Sequence, residues 1–367
     1  GLQRLGPDAL PRAQARGRAR RPGPCRCESV RPGRGHCRQL HRPRRSARHL
    51  GVPLAGGAQL VKDGTGTVTL SGANTYTGAT TISAGTLSVT GSLSDSTAVS
   101  VASGATYNVG ASDTIAALTG AGNVTLNSYT LTLGNASGTY SGVMSSTGSF
   151  TKVGSGTLTL SGANTYTGGT TISAGTLRAQ GTASLSGTGT ITLNGGTLQL
   201  AQDTAGTYGN AVTVGGSASI VSDRVSNGAG VTHTLGTLSL GAYTLTIDKG
   251  AYVTSGTAGI TFSGATSLTG AAGITTTSTG VLTTLTGSVT GTGKNLTVDG
   301  SGDTTLSGGL NTSTSATLTK NGSGTLTLTG NNTYTGGTWV DGGTLQISAD
   351  NNLGSTASGI TLNGGAL

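Results

Sequence analysis

The chain has 367 residues, of which 67 are Gly, 9% are charged and 3% are aromatic, and its formal net charge is +9. Large apolar side chains are too few for a thick core, yet charge is too scarce for ordinary disorder, so something other than bulk burial must order the chain. No apolar run is long enough for a transmembrane helix, and the glycines keep no three-residue period, which excludes collagen.

Residues 1-50 hold 14 Arg against Asp8 and Glu28, a net +12, so the rest of the chain carries −3. All three cysteines and six of seven prolines also lie in this tract, whereas Thr, Lys, Ile, Phe, Tyr and Asn are absent from it. Two unrelated compositions meet near residue 51, giving an Arg/Pro-rich segment 1-50 that reads as disordered and a second region, 51-367. A basic nucleic-acid arm would be accompanied by a folded basic domain or interleaved aromatics, and neither is present, so no nucleic-acid partner is expected. Cys25, Cys27, His36 and Cys37 are zinc-ligand types, but their spacings fit no common finger, and neither metal nor cofactor is expected. The favoured reading is a GC-rich coding region translated out of frame. No basic start followed by an apolar stretch marks a signal peptide, which reads as a missing start.

From residue 60 onward the dominant signal is a repeat. Lys62 to Val89 and Lys152 to Ala179 are identical at 22 of 28 positions, and Lys320 to Ile347 is a third copy, giving units at 62-89, 152-179 and 320-347. Within each unit the apolar period is two: Thr67-Val68-Thr69-Leu70 predicts a strand with one buried face, as do Thr157 to Leu160 and Thr325 to Leu328. Ser71-Gly72-Ala73-Asn74 predicts a turn, with Asn tolerating the left-handed region and bonding its own backbone. Short strands around Thr80 to Ile82 and Thr86 to Val89 follow, and no segment has the 3.6-residue apolar period of a helix. Such short strands bury a face only when coils of ~20 residues stack at ~4.8 Å, which predicts about 15 coils and a rod on the order of 70 Å. Val68 and Leu87 are expected to stack on successive coils. A β-sandwich uses similar strands, but the recurring unit argues against it. The structural repeat positions are Gly66, Asn74, Tyr76, Gly85 and Leu87, with Gly156, Asn164, Tyr166, Gly175 and Leu177 in the second unit and Gly324, Asn332, Tyr334, Gly343 and Leu345 in the third. The three tyrosines are expected to pack at a turn.

The motif Gly156 to Leu177, GTLTLSGANTYTGGTTISAGTL, resembles the autotransporter-associated β-strand repeat of bacterial autotransporter passenger domains. It recurs at Gly66 to Leu87 and at Gly324 to Leu345, where Trp339-Val340-Asp341-Gly342 replaces Thr-Ile-Ser-Ala. The resemblance implies an all-β fold, a right-handed parallel β-helix or β-solenoid, exported and presented at the cell surface or outer membrane, or secreted, by a C-terminal translocator barrel. It also implies repeats that assist passage and folding, and a structural or adhesive passenger. No barrel-like series of amphipathic strands is present and the chain stops inside a repeat, so it reads as an internal fragment. The expected partners are the missing barrel and a host-surface or matrix ligand, or a second copy of the chain.

Catalytic constellations are weak. Gly110-Ala111-Ser112 and Gly215-Gly216-Ser217 begin like serine elbows without completing one. Gly291-Thr292-Gly293-Lys294 is followed by Asn295 where a phosphate loop needs Ser or Thr. Asp299-Gly300-Ser301-Gly302-Asp303 lacks the ligand spacing of known calcium loops. The enzyme alternative is an exported polysaccharide-cleaving β-helix, with Asp203 and Asp223 stacked on adjacent coils and Arg224 beside them. His233 has no evident partner set and reads as structural or surface. Thr-x-Thr faces could match an ice lattice, but uneven coils disfavour that. The expected answer is a non-enzymatic passenger without a catalytic site.

Overall fold

The computed structural model describes residues 38–39, 48–51, 53–135, 137–185, 187, 189–355 and 359–367. The chain divides into a unit 1–35 and a unit 36–367. The first, including Cys25 and Cys27, lies outside the described residues, as do His36 and Cys37, so the zinc candidates are not placed. Among the described residues no three His, Cys, Asp or Glu side chains gather as a metal site.

Unit 36–367 is all-β, a parallel β-solenoid of about 14 turns. Every strand pair among the described residues is parallel, and they form sheets of 16, 10, 7, 6 and 2 strands. The only helices among these residues are single 3-10 turns at Thr182–Leu185 and Asp350–Leu353. The 16-stranded sheet runs the length of the coil, from Arg38–Gln39 to Ile360–Leu362. The first strands lie inside the Arg-rich tract: Arg38–Gln39 pairs with Leu60–Lys62, and Arg48–Leu50 pairs with Thr67–Leu70 in the six-stranded sheet.

Burial follows the period-two pattern. In Thr67–Leu70, Thr157–Leu160 and Thr325–Leu328 the apolar residues face inward and the threonines outward. Each coil adds one layer of Leu, Ile or Val to a narrow core that continues through the stack, as expected where coils share a hydrophobic column. Val68 pairs with Leu87, as their spacing in the sequence suggested. Coil length is not constant. Near the first repeat Leu60 pairs with Thr80, whereas in the middle Ser219 pairs with Thr246 and Thr246 with Thr275, so each middle coil takes up distinctly more chain.

A third wall does not require that length: Ala98–Val101, Thr106–Val109 and Asp113–Ile115 already give one strand each to the 16-, 6- and 10-stranded sheets in a coil where Ala98 pairs with Ala117. Between residues 206 and 311 most coils contribute a strand to each of the 16-, 10- and 7-stranded sheets. In the repeats only two strands form per coil, and the third side is a strandless stretch at residues 71–79, 161–169 and 329–337. The repeat is not fixed to particular walls. Copies one and three place their Lys-ending strand in the 16-stranded sheet, while copy two places it in the 10-stranded sheet.

Candidate functional site

The repeats concentrate the unusual chemistry, and in each copy it gathers at two corners. The first corner is the strandless stretch. Asn74, read from sequence as a turn residue, bonds the backbone of its own turn but is also buried, and it is not among the residues with positive φ. Its Oδ1 accepts the N–H of Leu54 on the coil below at 3.0 Å, while its Nδ2 donates to Ser92 O on the coil above at 2.9 Å and to Gly72 O at 2.8 Å. Asn164 repeats this, accepting from Met144 N at 2.8 Å and donating to Ser184 O at 2.8 Å. Asn332 accepts from Leu310 N at 2.6 Å and donates to Asn352 O. The backbone alongside follows suit: Thr75, Thr165 and Thr333 donate to Leu54 O, Met144 O and Leu310 O. One primary amide thus bridges three coils where no strand supplies a ladder, satisfying groups that would otherwise be buried unpaired.

Two residues further on, Tyr76, Tyr166 and Tyr334 fill the inside of the same corner and are buried. Each shares a hydrogen bond of 2.6 Å with the Thr four residues later: Thr80, Thr170 and Thr338. That threonine begins the next strand and faces inward, so the phenol fastens the irregular stretch to the strand that ends it. Burial raises the phenol of Tyr76 and of Tyr166 to about 12, outweighing the hydroxyl partner, so both remain neutral.

The second corner holds a lysine. Lys62, Lys152 and Lys320 end their strands at inward-facing positions and are only 2%, 0% and 1% exposed. Backbone carbonyls receive their ammonium groups. Lys62 Nζ donates to Gly64 O at 2.7 Å, Ala84 O at 2.8 Å and Asp63 O at 3.2 Å. Lys152 Nζ donates to Val153 O at 2.6 Å, Gly154 O at 2.7 Å and Gly134 O at 3.2 Å. Lys320 Nζ donates to Asn321 O, Gly322 O and Gly342 O. Burial lowers the proton affinity of all three amines, and the ring of carbonyl dipoles is what the charged form receives in return.

On this turn the next coil's glycine rests. Gly85, Gly175 and Gly343 have φ of +66°, +67° and +63°, and a Cβ on them would stand 2.5, 2.3 and 2.3 Å from a carbonyl oxygen of the coil below. Gly66, Gly156 and Gly324 accept the N–H of Thr86, Thr176 and Thr344 at the same corner. Leu87, Leu177 and Leu345 are wholly buried, stacked on Val68, Leu158 and Leu326.

Sequence reasoning missed the lysines, which it counted as charges. The available signal was that every copy begins with Lys although the rest of 51-367 holds only Lys249 and Lys294 besides.

The candidates for catalysis do not assemble. The register pairs Asp223 with Ala201 rather than Asp203, because the coil between them is longer than the even step the sequence reading assumed. Asp223 is fully buried, receiving Gln199 Nε2 at 2.6 Å and Tyr252 N at 3.1 Å, with Arg178 Nη1 3.6 Å away. Asp203 is spent on the 224–226 loop, accepting from the N–H groups of Val225 and Ser226 and from the Ser226 hydroxyl; these bonds, with Arg224 Nη2 at 3.5 Å, hold its carboxyl below the usual range. Ser112 and Ser217 Oγ accept backbone N–H groups of Thr130 and Thr244. Gly291 to Lys294 is a closed turn, Lys294 N to Gly291 O at 2.9 Å. Asp299 and Asp303 bond the N–H groups of Gly300 and Thr325. His233 is buried; its Nε2 lies 3.1 Å from Asp223 O and its ring meets Tyr208 edge-on at 5.8 Å. The outward threonine ladder is broken by Trp339, which stands between Thr319 and Thr361.

The passenger-associated-transport-repeat family model matches residues 60–89, 150–179 and 318–347, about a quarter of the chain. These are the three units whose corners are described above, each match beginning two residues earlier than the corresponding unit and covering its lysine. A stretch of 45 residues, 12% of this chain, is 60% identical to the adhesin BmaC autotransporter of Brucella suis biovar 1 (strain 1330). The match spans about 1% of that relative's length. No solved structure matches the chain. The chain carries passenger-associated transport repeats, and together with the adhesin similarity they support an autotransporter passenger.

Proposed function

We propose that residues 51-367 are part of an autotransporter passenger, displayed at the cell surface or secreted, that serves as a structural and adhesive stalk, and that its repeats act as folding units during outer-membrane passage. The supporting observation is that each repeat closes its own strand pairs. In the first, Leu60–Lys62 pairs with Thr80–Ile82 and Thr67–Leu70 with Thr86–Val89; in the second, Phe150 pairs with Thr170 and Leu158 with Leu177; in the third, Leu318 pairs with Thr338 and Leu326 with Leu345. Contacts only ~20 residues apart form early, because little loop entropy is lost in closing them. A chain emerging end first can therefore order a repeat before the rest arrives, and the new coils template their neighbours.

The test is export of the chain fused to a translocator barrel. Lys152→Met and Asn164→Ala are expected to slow the appearance of protease-resistant passenger outside the cell more than Asp223→Asn does. Equal slowing by all three would remove the special role of the repeats. The adhesive role is tested by binding of the purified chain to host cells and matrix proteins. The bonds that occupy Asp203 and Asp223 favour a non-enzymatic stalk. Release of sugar from a polysaccharide, abolished by Asp203→Asn or Asp223→Asn, would overturn that reading in favour of a cleaving enzyme.

A further inference from the structure

Away from the repeats, the outward face of the 16-stranded sheet opens into a trough of about 420 Å³. It crosses four coils, at Ser217, Thr244, Gly273 and Thr297, so its floor is about 14 Å long at ~4.8 Å per step. Gly273 makes the depression: it stands between Thr244 and Thr297 in one ladder and has no side chain to fill the row. The neighbouring ladder, Thr275 paired with Asp299, forms one side. At the near end stands Tyr243, 42% exposed in a chain whose other tyrosines are mostly buried. Its ring packs so closely over Gly241 that a Cβ there would lie 2.9 Å from it.

We propose that this trough binds an uncharged oligosaccharide about the length of a trisaccharide, an assignment that deepens the adhesive reading and rests on it. The chemistry of the walls selects this ligand. A pre-positioned phenol ring offers a flat apolar face to a pyranose, at little ordering cost. The hydroxyls of Thr244, Thr275 and Thr297 are small donors and acceptors spaced along the floor. Asp299 accepts the Gly300 N–H through Oδ1 at 2.7 Å, which leaves Oδ2 to accept from a sugar hydroxyl. Among the described residues no cation lines the trough while a carboxylate does, which disfavours phosphate, sulfate and carboxylate ligands, including nucleic acid and acidic glycans. A peptide strand has no purchase, because the backbone groups of these strands are bonded to the coils above and below.

The experiment is equilibrium titration of the purified full chain with maltotriose, cellotriose, mannotriose and tri-N-acetylchitotriose, with heparin and polygalacturonate as anionic probes. At least one neutral trisaccharide is expected to bind saturably. Tyr243→Ala and Gly273→Val should each weaken that binding by about tenfold or more. Tyr243→Ala removes an exposed ring, so its circular dichroism and thermal unfolding should match those of the parent. Absence of binding by all four neutral probes, binding indifferent to both substitutions, or preference for an anionic polymer would overturn the proposal. Adherence to host cells separates the two readings. If parent and Tyr243→Ala adhere alike while no trisaccharide binds, the trough assignment fails and the adhesive stalk stands; trisaccharide binding without any adherence reverses that outcome.

Discussion

The repeat coils and the middle coils solve one problem in two ways. Both must satisfy backbone groups on the third side of a narrow coil. The middle coils do so with a strand, and they also follow a longer path between stacked positions, such as Thr246 to Thr275, with side loops that need their own fastening: Asp203 holds residues 225 and 226, and Gly228–Ala229 pairs with Val253–Ser255. The repeats do so in a shorter coil with one asparagine amide, one phenol and one ammonium, all turned inward. The difference separates two tasks. The compact corners bond inward, while the long coils bring Tyr243, Tyr252 and the trough to the surface.

The largest expected effect tests how tightly the repeat corner is built. Gly175→Ala puts a Cβ about 2.3 Å from Gly154 O at a backbone φ of +67°, so clash and strain add, and a loss of more than about 4 kcal/mol is expected. Gly104→Ala has φ of +79° but open space around it, and should cost only about 1 kcal/mol. Hydrogen exchange read by peptide, rather than one global melting curve, is the proper measurement, because a stack of coils need not unfold as one unit. Equal effects would mean the close stacking of corners is unimportant.

Next comes the amide. Asn164→Ala strands the Met144 N–H and the Ser184 O inside the coil, with an expected loss of about 3 kcal/mol. Asn210, in the middle coils, donates to Gly187 O and Gly189 O, but its Oδ1 has no partner among the described residues. Asn210→Ala should therefore cost about 1 kcal/mol less. Faster exchange at the Met144 amide in Asn164→Ala would localise the break; unchanged exchange there would sink the three-coil staple.

These corners mark how far the sequence could be read. Period-two strands, their stacking and the solenoid followed from alternation and spacing, because a strand's buried face is written in its own residues. The roles of Asn74 and Lys62 were not legible, because they depend on partners 20 or 22 residues away whose contribution is a backbone atom with no side-chain signature. The same limit misplaced Asp203 against Asp223: a uniform step was assumed, and the longer local coil moved Ala201 into that place. Recurrence was the clue available for Lys, and it stood at the head of all three copies. The trough had none, since Gly273 is ordinary until its ladder neighbours are known.

Acidity sharpens the contrast further, with opposite signs in two coils. Asp113, just beyond the first repeat, accepts the N–H groups of Leu93 and Thr114, yet burial outweighs these bonds and raises its carboxyl to about 6. Its folded form binds the proton more tightly than the unfolded chain, so its stabilising contribution is complete below the ordinary carboxylate value and is lost as pH rises through about 6. His233, in the middle coils, is buried beside Tyr208, and burial lowers its proton affinity despite the nearby Asp223. There the unfolded chain binds the proton more tightly, so stability is lost as pH falls below the ordinary imidazole value of ~6.5. Going from pH 7 to pH 5 should protect amides around Leu93 and expose those around His233, after correction for intrinsic exchange rates. His233→Gln should abolish the second change and leave the first. The lysine clamp sits lower on the scale: Lys152→Met keeps the stem and removes three carbonyl partners, but it also ends the burial of a charge, so a net loss of about 1 to 2 kcal/mol is expected.

The smallest effect is expected at the surface of the middle coils. Tyr252 is 42% exposed, and its ring lies 5.3 Å from the guanidinium of Arg178. Arg178 is anchored independently, donating to Arg224 O at 2.7 Å and standing 3.6 Å from the buried Asp223 carboxylate. The link from Tyr252 to Asp223 runs through its backbone N–H, which a substitution leaves in place. Tyr252→Ala therefore removes only the ring over the cation, and a cost of about 0.5 to 1 kcal/mol is expected. Confined to peptides covering residues 223–255 and the strand Thr176–Gln180 that carries Arg178, that loss would show that a long coil tolerates change on its outer face while its inner bonds stay made. A loss as large as that of Asn164→Ala, or one that spread beyond that strand into residues 150–175, would mean that the middle coils and the repeats share their stability, and the division between them would fail.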